Sequence, residues 1–392
     1  MKNKPGLIEE TVEFSFQLPT SIEFGFGKAS RLGERIRQFG AANVFFVTDQ
    51  GVEAVGLLNG IKESLQTAGI AFDTYTDVEP DPSIETINRA AQALQSKSYD
   101  CIVAVGGGSP IDVAKGIRVV SANGGSIGQY AGVNRVQKAS SVPLIAIPTT
   151  SGTGSEVTIF GVYSDWENNV KITVTSPYMA ATIAIVDPQL TMSLPAKMTA
   201  ASGIDALAHG IETFFSTIAT PASDALALQA IAIVNGNLRN VVENGSDVQA
   251  RIGMSQGSLL AGMAFNNGFL GLTHAIGSAL SGHCHVPHGV AIGLLLPHVI
   301  EFNRTVRPEK AAKIARIMGI KGNDDESLAL QAADAAAQLV QEIGLPTKLR
   351  DVGVTEDKLS DVAKDSFKSG MMQFNPRQPS EMEVLELLQR IY

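Results

Sequence analysis

The fold of this chain is decided by one stretch, Cys101-Ile102-Val103-Ala104-Val105-Gly106-Gly107-Gly108-Ser109-Pro110. Its first five residues are apolar, as expected for a strand that is buried on both faces of a parallel sheet. Three glycines follow, and they open a helical segment that has Pro110 in its first turn. Consecutive glycines let a ligand approach the backbone, and the free N–H groups at a helix start attract anions. The stretch therefore predicts a strand, a phosphate-binding loop and a helix.

The glycine run departs from two common phosphate motifs. Ile111 stands where the dinucleotide motif G-x-G-x-x-G has its last glycine, and no Gly-Lys-Ser/Thr sequence follows as it does in a P-loop. An ordinary tight turn between a strand and a helix is the alternative interpretation. The order of strand, glycine loop and helix favours a phosphate site over that alternative.

Outward from this stretch, the first half of the chain alternates strand and helix patterns. The alternation indicates βαβ units and a parallel sheet. The predicted strands are 43–48, 70–75, 101–105 and 144–147, and the predicted helices are 55–68 and 83–94, the second with Ser83 as its N-cap.

After about Leu194 alanine-rich segments with helical periodicity dominate. The predicted helical segments are 201–215, 223–234, 248–263, 274–280, 309–318, 326–343 and 382–391. We therefore expect an α/β domain over residues 1–194 and an all-helical domain over 195–392. A ligand cleft is expected between them.

The composition excludes several classes of partner. The chain has 392 residues, is 44% hydrophobic and carries a net charge of −9. Because nucleic acids and anionic membranes both select basic surfaces, neither is an expected partner. Two cysteines, Cys101 and Cys284, cannot form a disulfide framework, so a reducing cytoplasm is the expected compartment.

A polar run and a single acidic residue also follow predicted strands. Residues 148–156 form the run Pro-Thr-Thr-Ser-Gly-Thr-Gly-Ser-Glu, and the carboxyl ends of parallel strands line the crevice where α/β sheets bind ligands. Asp49 follows the first strand. An acid there can bind the adenosine ribose and disfavour the 2′-phosphate of NADP, but a simple turn residue is an equal alternative.

The histidines suggest a metal site. Asp205 and His209 are spaced i and i+4, which places both side chains on one helical face. His274 and His288 lie downstream, and one carboxylate with three imidazoles can hold a divalent metal. His283, His285 and His298 are further candidates, so spacing alone does not select the ligands.

Three motifs stand together in this chain: 106–112 (Gly-Gly-Gly-Ser-Pro-x-Asp), 148–156, and Asp205-x3-His209 with His274 and His288. Their order and spacing resemble the iron-containing (group III) alcohol dehydrogenases, and the resemblance runs from Phe24 to the C-terminal helices. It implies the dehydroquinate synthase-like architecture of that family. In that architecture residues 1–194 would be a dinucleotide-binding domain with a Rossmann-like site, and residues 195–392 would be an all-helical metal-binding and substrate domain.

The resemblance also implies roles for individual residues. The metal, iron(II) or zinc, would be held by Asp205, His209, His274 and His288. The cofactor NAD would contact Gly107, Gly108 and Ser109 through its pyrophosphate, and Asp112, Thr149, Thr150, Thr153 and Lys171 on its nicotinamide and ribose side. Asp49 stands where relatives that prefer NAD carry an acid.

Ser278 departs from the family pattern. The family usually has a histidine four residues after the third ligand, and a serine cannot titrate near neutral pH. Proton release would then run through water, a ribose hydroxyl, His283 or His285.

The expected function is metal-dependent, NAD(H)-linked oxidation of a small primary alcohol or reduction of its aldehyde, in a homodimer or larger homo-oligomer. The metal would act as a Lewis acid on the substrate oxygen. A glycerol-dehydrogenase-like polyol oxidoreductase, a dehydroquinate-synthase-like lyase and a metal-dependent binding protein without turnover are the alternatives.

Overall fold

The computed structural model describes residues 13–168 and 170–392. The strands in this part of the chain are β1 (Ser21–Phe24), β2 (Asn43–Val47), β3 (Ala71–Tyr75), β4 (Cys101–Gly106), β5 (Gly132–Val133), β6 (Leu144–Pro148), β7 (Phe160–Asp165), β8 (Val170–Thr175) and β9 (Ile183–Val186). Six of them form a parallel sheet in the order β1-β9-β6-β4-β2-β3, and a smaller sheet has the order β5-β8-β7.

The helices are α1 (Leu32–Gln38), α2 (Gln50–Ala54), α3 (Asn59–Thr67), α4 (Ile84–Gln95), α5 (Gly108–Asn123), α6 (Ala196–Phe215), α7 (Pro221–Glu243), α8 (Val248–Gly268), α9 (Leu272–Cys284), α10 (His288–Arg304), α11 (Pro308–Ile317), α12 (Asp325–Glu342), α13 (Leu359–Ser366) and α14 (Glu381–Arg390). The α/β architecture with a helical second half confirms the predicted fold class.

The glycine loop forms as predicted. Strand β4 is fully buried between β2 and β6, which explains its apolar sequence. At Gly106 a Cβ atom would lie 2.5 Å from Pro110 Cγ, so only glycine fits the turn between β4 and α5. The helix start is thus brought directly to the carboxyl edge of the sheet, where α/β proteins bind ligands.

The predicted helix over 55–68 is wrong in its extent. In that range the structure has α3 alone, which begins at Asn59, because Gly56 adopts a φ of 73° that does not occur within a right-handed helix and that separates α3 from α2. Ser83 does cap α4, and its hydroxyl accepts a hydrogen bond from the Thr86 N–H.

Several elements are not predicted from the sequence. The hairpin of β7 and β8 packs against α5 and lines the cavity that contains Asp205 and His209. Helix α10 begins at His288 and contains Pro297, a residue that normally argues against a helix because it cannot donate a backbone hydrogen bond.

The strand-rich and helical halves meet around residues 187–195. Strand β9 ends at Val186 and α6 begins at Ala196, and we propose that the domain boundary lies in this connection, near residue 194. Separate hydrophobic cores lie on the two faces of the main sheet and among α6, α7, α10, α11 and α12. Among the described helices, none combines the length and apolar character needed to cross a bilayer.

Candidate metal centre and cofactor cleft

Helix α6 carries the first two side chains of the site. Asp205 and His209 lie one turn apart on its buried face, and each is less than 5% exposed. Their oxygen and nitrogen atoms, Asp205 Oδ1 and His209 Nε2, are 3.7 Å apart. The helical spacing in the sequence therefore brings the pair together as predicted.

His274 and His288 approach the same carboxylate from other helices. His274 lies in the first turn of α9, and its Nε2 is 3.4 Å from Asp205 Oδ1. His288 begins α10, and its Nε2 is 3.6 Å from the same oxygen. We call Asp205, His209, His274 and His288 the histidine cluster.

The members of the histidine cluster are not equally close. Ligand atoms of Asp205, His209 and His274 all lie within 4.8 Å of one another. His288 stands outside that group of three, and its side chain is 32% exposed. Two atoms that each bind one ion at about 2.1 Å can be at most about 4.2 Å apart. All three distances to Asp205 meet this limit.

Glu212 orients His274, although the sequence analysis gave it no role. Its carboxylate accepts a hydrogen bond from His274 Nδ1 at 2.5 Å, which leaves Nε2 facing Asp205. The same carboxylate accepts hydrogen bonds from the backbone N–H groups of Thr273 and His274, which have no acceptor within α9 because they lie in its first turn. Glu212 thus fixes both the helix start and the imidazole, as partners of metal-binding histidines commonly do.

Gly152 orients His209 in the way that Glu212 orients His274. Its carbonyl oxygen lies 3.2 Å from His209 Nδ1, and because a carbonyl only accepts, Nδ1 carries the proton and Nε2 presents a lone pair. A Cβ at Gly152 would lie 2.6 Å from the Ser202 carbonyl oxygen, so the glycine permits this close approach.

The electrostatics of the cluster centre on one buried carboxylate. Burial alone would raise the pKa of Asp205, but the surrounding imidazoles, His209 foremost, lower it below its ordinary value. Burial lowers the pKa of His209 and of His288 to about 4. Burial also opposes the charge on His274, but the neighbouring carboxylates of Asp205 and Glu212 raise its pKa to about 9.

The donor set fits a divalent cation. Within the described part of the chain, Asp205 Oδ1, His274 Nε2 and His288 Nδ1 are buried polar atoms that have no hydrogen-bond partner. Buried polar atoms are normally paired, and two of these, Asp205 Oδ1 and His274 Nε2, face each other across the cluster. A carboxylate with imidazoles is a common ligand set for iron(II) and zinc.

The three remaining histidines lie elsewhere. His283 pairs with Asp365 at 2.9 Å, and the ring of His285 packs against Trp166 at 5.4 Å. His298 lies on α10 near the charges of Glu301 and Arg390. The distances to Asp205 therefore distinguish the histidines, which spacing in the sequence does not.

A cleft of about 770 Å³ runs along the carboxyl edge of the sheet. Its walls include six of the predicted cofactor residues: Asp49, Gly107, Gly108, Ser109, Thr149 and Thr150. Gly107 is the N-cap of α5, so the free N–H groups of that helix start lie in the cleft wall.

A second cavity of about 280 Å³, here called the chamber, continues from the cleft and shares Gly108 and Ser109 with it. The chamber is also lined by Asp112, Thr153, Lys171, Ser278 and the histidine cluster. An extended ligand bound in the cleft can therefore reach the histidine cluster at its end.

Asp112 lines the chamber, but its carboxylate is already engaged. Oδ1 accepts a hydrogen bond from Ser155 Oγ at 2.5 Å, and Oδ2 accepts one from the Val162 N–H at 3.0 Å. Lys115 Nζ lies 3.7 Å away and is fully buried. We call Asp112, Lys115, Ser155 and Glu156 the lysine cluster.

Lys171 and Asp49 also have protein partners. Lys171 forms an ion pair of 2.5 Å with Asp81, a residue of the chamber wall that sequence reasoning missed. Asp49 caps α2 by accepting the Val52 N–H at 2.8 Å. Asp49 is therefore both a turn residue and a residue of the cleft wall, so the two alternatives from the sequence are compatible.

Comparisons with known proteins match nearly the whole chain to one enzyme family. Residues 19–188 match the profile of the iron-containing alcohol dehydrogenases, and residues 199–392 match the C-terminal profile of the same family. The NAD-dependent methanol dehydrogenase of Bacillus methanolicus is 36% identical over 95% of this chain and 98% of its own. The 1,3-propanediol dehydrogenase of Klebsiella pneumoniae is 39% identical over 97% of this chain and 99% of its own.

Solved structures of similar proteins also match nearly the whole chain. A 1,3-propanediol oxidoreductase superposes with a TM-score of 0.94 at 38% identity, covering 97% of this chain and 100% of that one. A sulfoacetaldehyde reductase from Bifidobacterium kashiwanohense, solved with NAD+, superposes with a TM-score of 0.87 at 29% identity, covering 97% of this chain and 99% of that one.

Proposed function

The chain belongs to the iron-containing alcohol dehydrogenase family, and from that premise we propose that it interconverts a primary alcohol and its aldehyde with NAD(H). The family match favours this interpretation over the polyol-oxidoreductase and lyase alternatives. The single observation that carries the proposal is the continuity of the cofactor cleft with a chamber that ends at the histidine cluster.

We propose that Asp205, His209, His274 and His288 hold the divalent metal, iron(II) or zinc. When bound, the metal would supply Lewis acidity toward the substrate oxygen, and NAD would supply the hydride acceptor. Glu212 and Gly152 keep the imidazoles of His274 and His209 turned toward Asp205.

The chamber wall positions the substrate and limits water. Phe265 stacks on the ring of His209 with a centroid distance of 4.4 Å, and Phe160 stacks on Phe265. With Leu270, these rings form an apolar side of the chamber next to the polar cluster. Such a site orients the reacting carbon and strengthens the electrostatic interactions inside it.

We propose that NAD lies along the cleft, with its pyrophosphate at Gly107, Gly108 and Ser109. Thr149, Thr150, Thr153, Asp112 and Lys171 would line the ribose and nicotinamide side. Ser278 contributes a hydroxyl that does not titrate near neutral pH, and His283 and His285 have contacts of their own with Asp365 and Trp166. We therefore propose that proton release runs through water or a ribose hydroxyl.

We further propose that the enzyme works in the cytoplasm as a homodimer or larger homo-oligomer. The two unlinked cysteines, Cys101 and Cys284, support the reducing compartment. Gel filtration with light scattering tests the oligomeric state.

The test of the reaction is NADH formation from small primary alcohols. We expect oxidation of ethanol and 1,3-propanediol with NAD, loss of that activity after chelation, and its return when iron(II) or zinc is added. Binding of NAD without turnover of any alcohol or aldehyde by the metal-loaded protein would refute the proposal and favour a binding protein.

Cofactor choice has its own test at Asp49. Removing the charge should improve use of NADP relative to NAD by roughly 1–3 kcal/mol, the worth of one close charged contact. Asp49→Asn is the sharper variant, since its side-chain oxygen can still cap the Val52 N–H, and Asp49→Gly removes both features. A wild-type enzyme that already prefers NADP would contradict the assignment.

A further inference from the structure

A third cavity continues from the far side of the chamber. It has a volume of about 540 Å³ and shares with the chamber the residues Lys171, Thr173, Ser278, Ser369 and Met371. The cofactor cleft, the chamber and this cavity therefore lie in series, with the histidine cluster in the middle one. We call the third cavity the tail cavity.

Small residues leave the passage open. Ser278 lies on α9 at the junction of the chamber and the tail cavity, with Ala275 and Ala279 on the same helix lining the cavity beyond it. Residues one, three and four apart on this helix thus place no large side chain across the passage. A hydroxymethyl group at Ser278 is the only side-chain bulk that α9 contributes at the junction among the described residues.

The walls of the tail cavity are chiefly apolar. Phe269 and Phe374 stack at 4.6 Å on one side, and Ile172 of β8 lines another. The cavity reaches solvent at Val133, which is 64% exposed. Its volume lies within the usual range for sites that hold small molecules, roughly 300–1,000 Å³.

The charges along this route are neutralised in pairs. Lys171 is paired with Asp81 at 2.5 Å, and Lys368 is paired with Asp365 at 2.9 Å. Both ammonium groups among the described residues that line the cavity already have a carboxylate partner, so neither is free to bind an anionic substrate group. An uncharged tail is therefore favoured over a carboxylate or sulfonate.

We propose that the tail cavity binds the aliphatic tail of the substrate, so that the preferred substrates are medium- to long-chain primary alcohols or their aldehydes. The inference rests on the proposed alcohol dehydrogenase function and specifies its substrate class. The hydroxyl end would lie at the histidine cluster, and the chain would pass Ser278 into the tail cavity.

The test measures kcat/KM for ethanol, n-butanol, n-hexanol and n-octanol with NAD and the metal-loaded enzyme. Burial of each added methylene should raise kcat/KM by up to about fourfold, the factor that corresponds to about 0.8 kcal/mol. Because the tail binds equally in ground and transition states, the gain should lie in KM and not in kcat.

Variants of residues that line the tail cavity test whether the aliphatic chain binds there. Ala279→Leu fills the tail cavity and should lower the ratio of kcat/KM for n-octanol to that for ethanol by at least tenfold, whereas the conservative Ala279→Ser should preserve the ratio. Val133→Trp narrows the mouth of the tail cavity at an exposed position, so it should not disturb core packing. It should lower the same ratio of kcat/KM values, and it serves as the test if Ala279→Leu does not fold.

The results of these measurements distinguish the tail-cavity proposal from the proposed dehydrogenase function. Ethanol oxidation with no gain for longer alcohols would overturn the tail cavity and leave the dehydrogenase function intact. An unchanged ratio in folded Ala279→Leu, or in folded Val133→Trp when Ala279→Leu does not fold, would also overturn the tail cavity. No oxidation of any alcohol, and no reduction of any aldehyde, would instead contradict the proposed function.

Discussion

The lysine cluster and the histidine cluster are both buried groups of charged residues next to the chamber, but their hydrogen bonding differs. In the lysine cluster, the three N–H donors of Lys115 reach Ser155 Oγ at 3.0 Å, Thr158 Oγ1 at 3.1 Å and the Phe160 carbonyl at 2.7 Å. An ammonium has three donors, so this one is fully satisfied.

The histidine cluster has an acceptor and a ring nitrogen without partners, Asp205 Oδ1 and His274 Nε2, among the residues that the structure describes. A satisfied buried network holds its geometry by itself, whereas an incomplete one needs a ligand to offset the cost of desolvation. The lysine cluster therefore ties α5 to the segment 155–160, whereas the unpaired atoms of the histidine cluster support our proposal that it binds a metal.

The largest expected effect comes from removing a ligand of the histidine cluster. His274→Ala should strip the metal and abolish turnover, because losing one ligand removes several kcal/mol of metal binding by order of magnitude. His298→Ala, on α10 but away from Asp205, is the control that should keep its metal. Metal analysis of both purified variants decides the point, and full metal content in His274→Ala would refute the assignment.

Removing the cation of the lysine cluster should destabilise the fold without affecting the metal. Lys115→Met leaves the Asp112 and Glu156 carboxylates buried without their cation, which should cost about 3–5 kcal/mol of unfolding free energy. The exposed Lys138→Met is the matched control. Urea unfolding with metal analysis would contradict the distinction if Lys115→Met lost metal at unchanged stability.

The two clusters also show which features of the fold and the site could be predicted from the sequence. The apolar strand, the glycine loop and the pair Asp205 and His209 were predictable, because each depends on a local period or on adjacent residues. Residue patterns alone could not select His274 and His288, since they come from α9 and α10 and meet Asp205 only through tertiary packing. The family resemblance supplied that choice.

Two other features were missed for different reasons. Glu212 follows His209 by three residues on the same helix, so its spacing was a usable signal. Lys115 follows Asp112 by the same spacing on α5, but that spacing does not indicate burial, because lysine is almost never fully buried unless it is paired. The acceptors that satisfy Lys115 lie about 40 residues ahead on a segment with little regular structure.

A smaller effect is expected where the histidine cluster is supported indirectly. Glu212→Gln keeps an acceptor for the start of α9 but removes the charge that orients His274, so metal affinity should fall roughly 10- to 100-fold. Competition with a chelator measures that affinity. The exposed Glu243→Gln is the control, and equal affinity in the two variants would show that Glu212 only caps the helix.

The smallest effect concerns pH and the lysine cluster. Burial raises the pKa of Glu156 to about 7 from its ordinary 4.5, with Lys115 acting in the opposite direction. The folded protein therefore binds more protons than the unfolded chain between these two values, and stability from this group is present below pH 4.5 and is lost as pH rises through 7.

Glu156→Gln imitates the protonated side chain at every pH. Its stability relative to the wild type should be nearly equal at pH 4.5 and should become more favourable as the pH rises through 7. Asp112, whose pKa burial also raises, is present in both proteins, so its pH dependence largely cancels in the difference. Urea midpoints of the two proteins across this range measure the effect. A difference that did not change with pH would mean that Glu156 has the same charge in the folded and unfolded states, and the lysine cluster would then be a permanently ionised network whose stability depends on Lys115 alone.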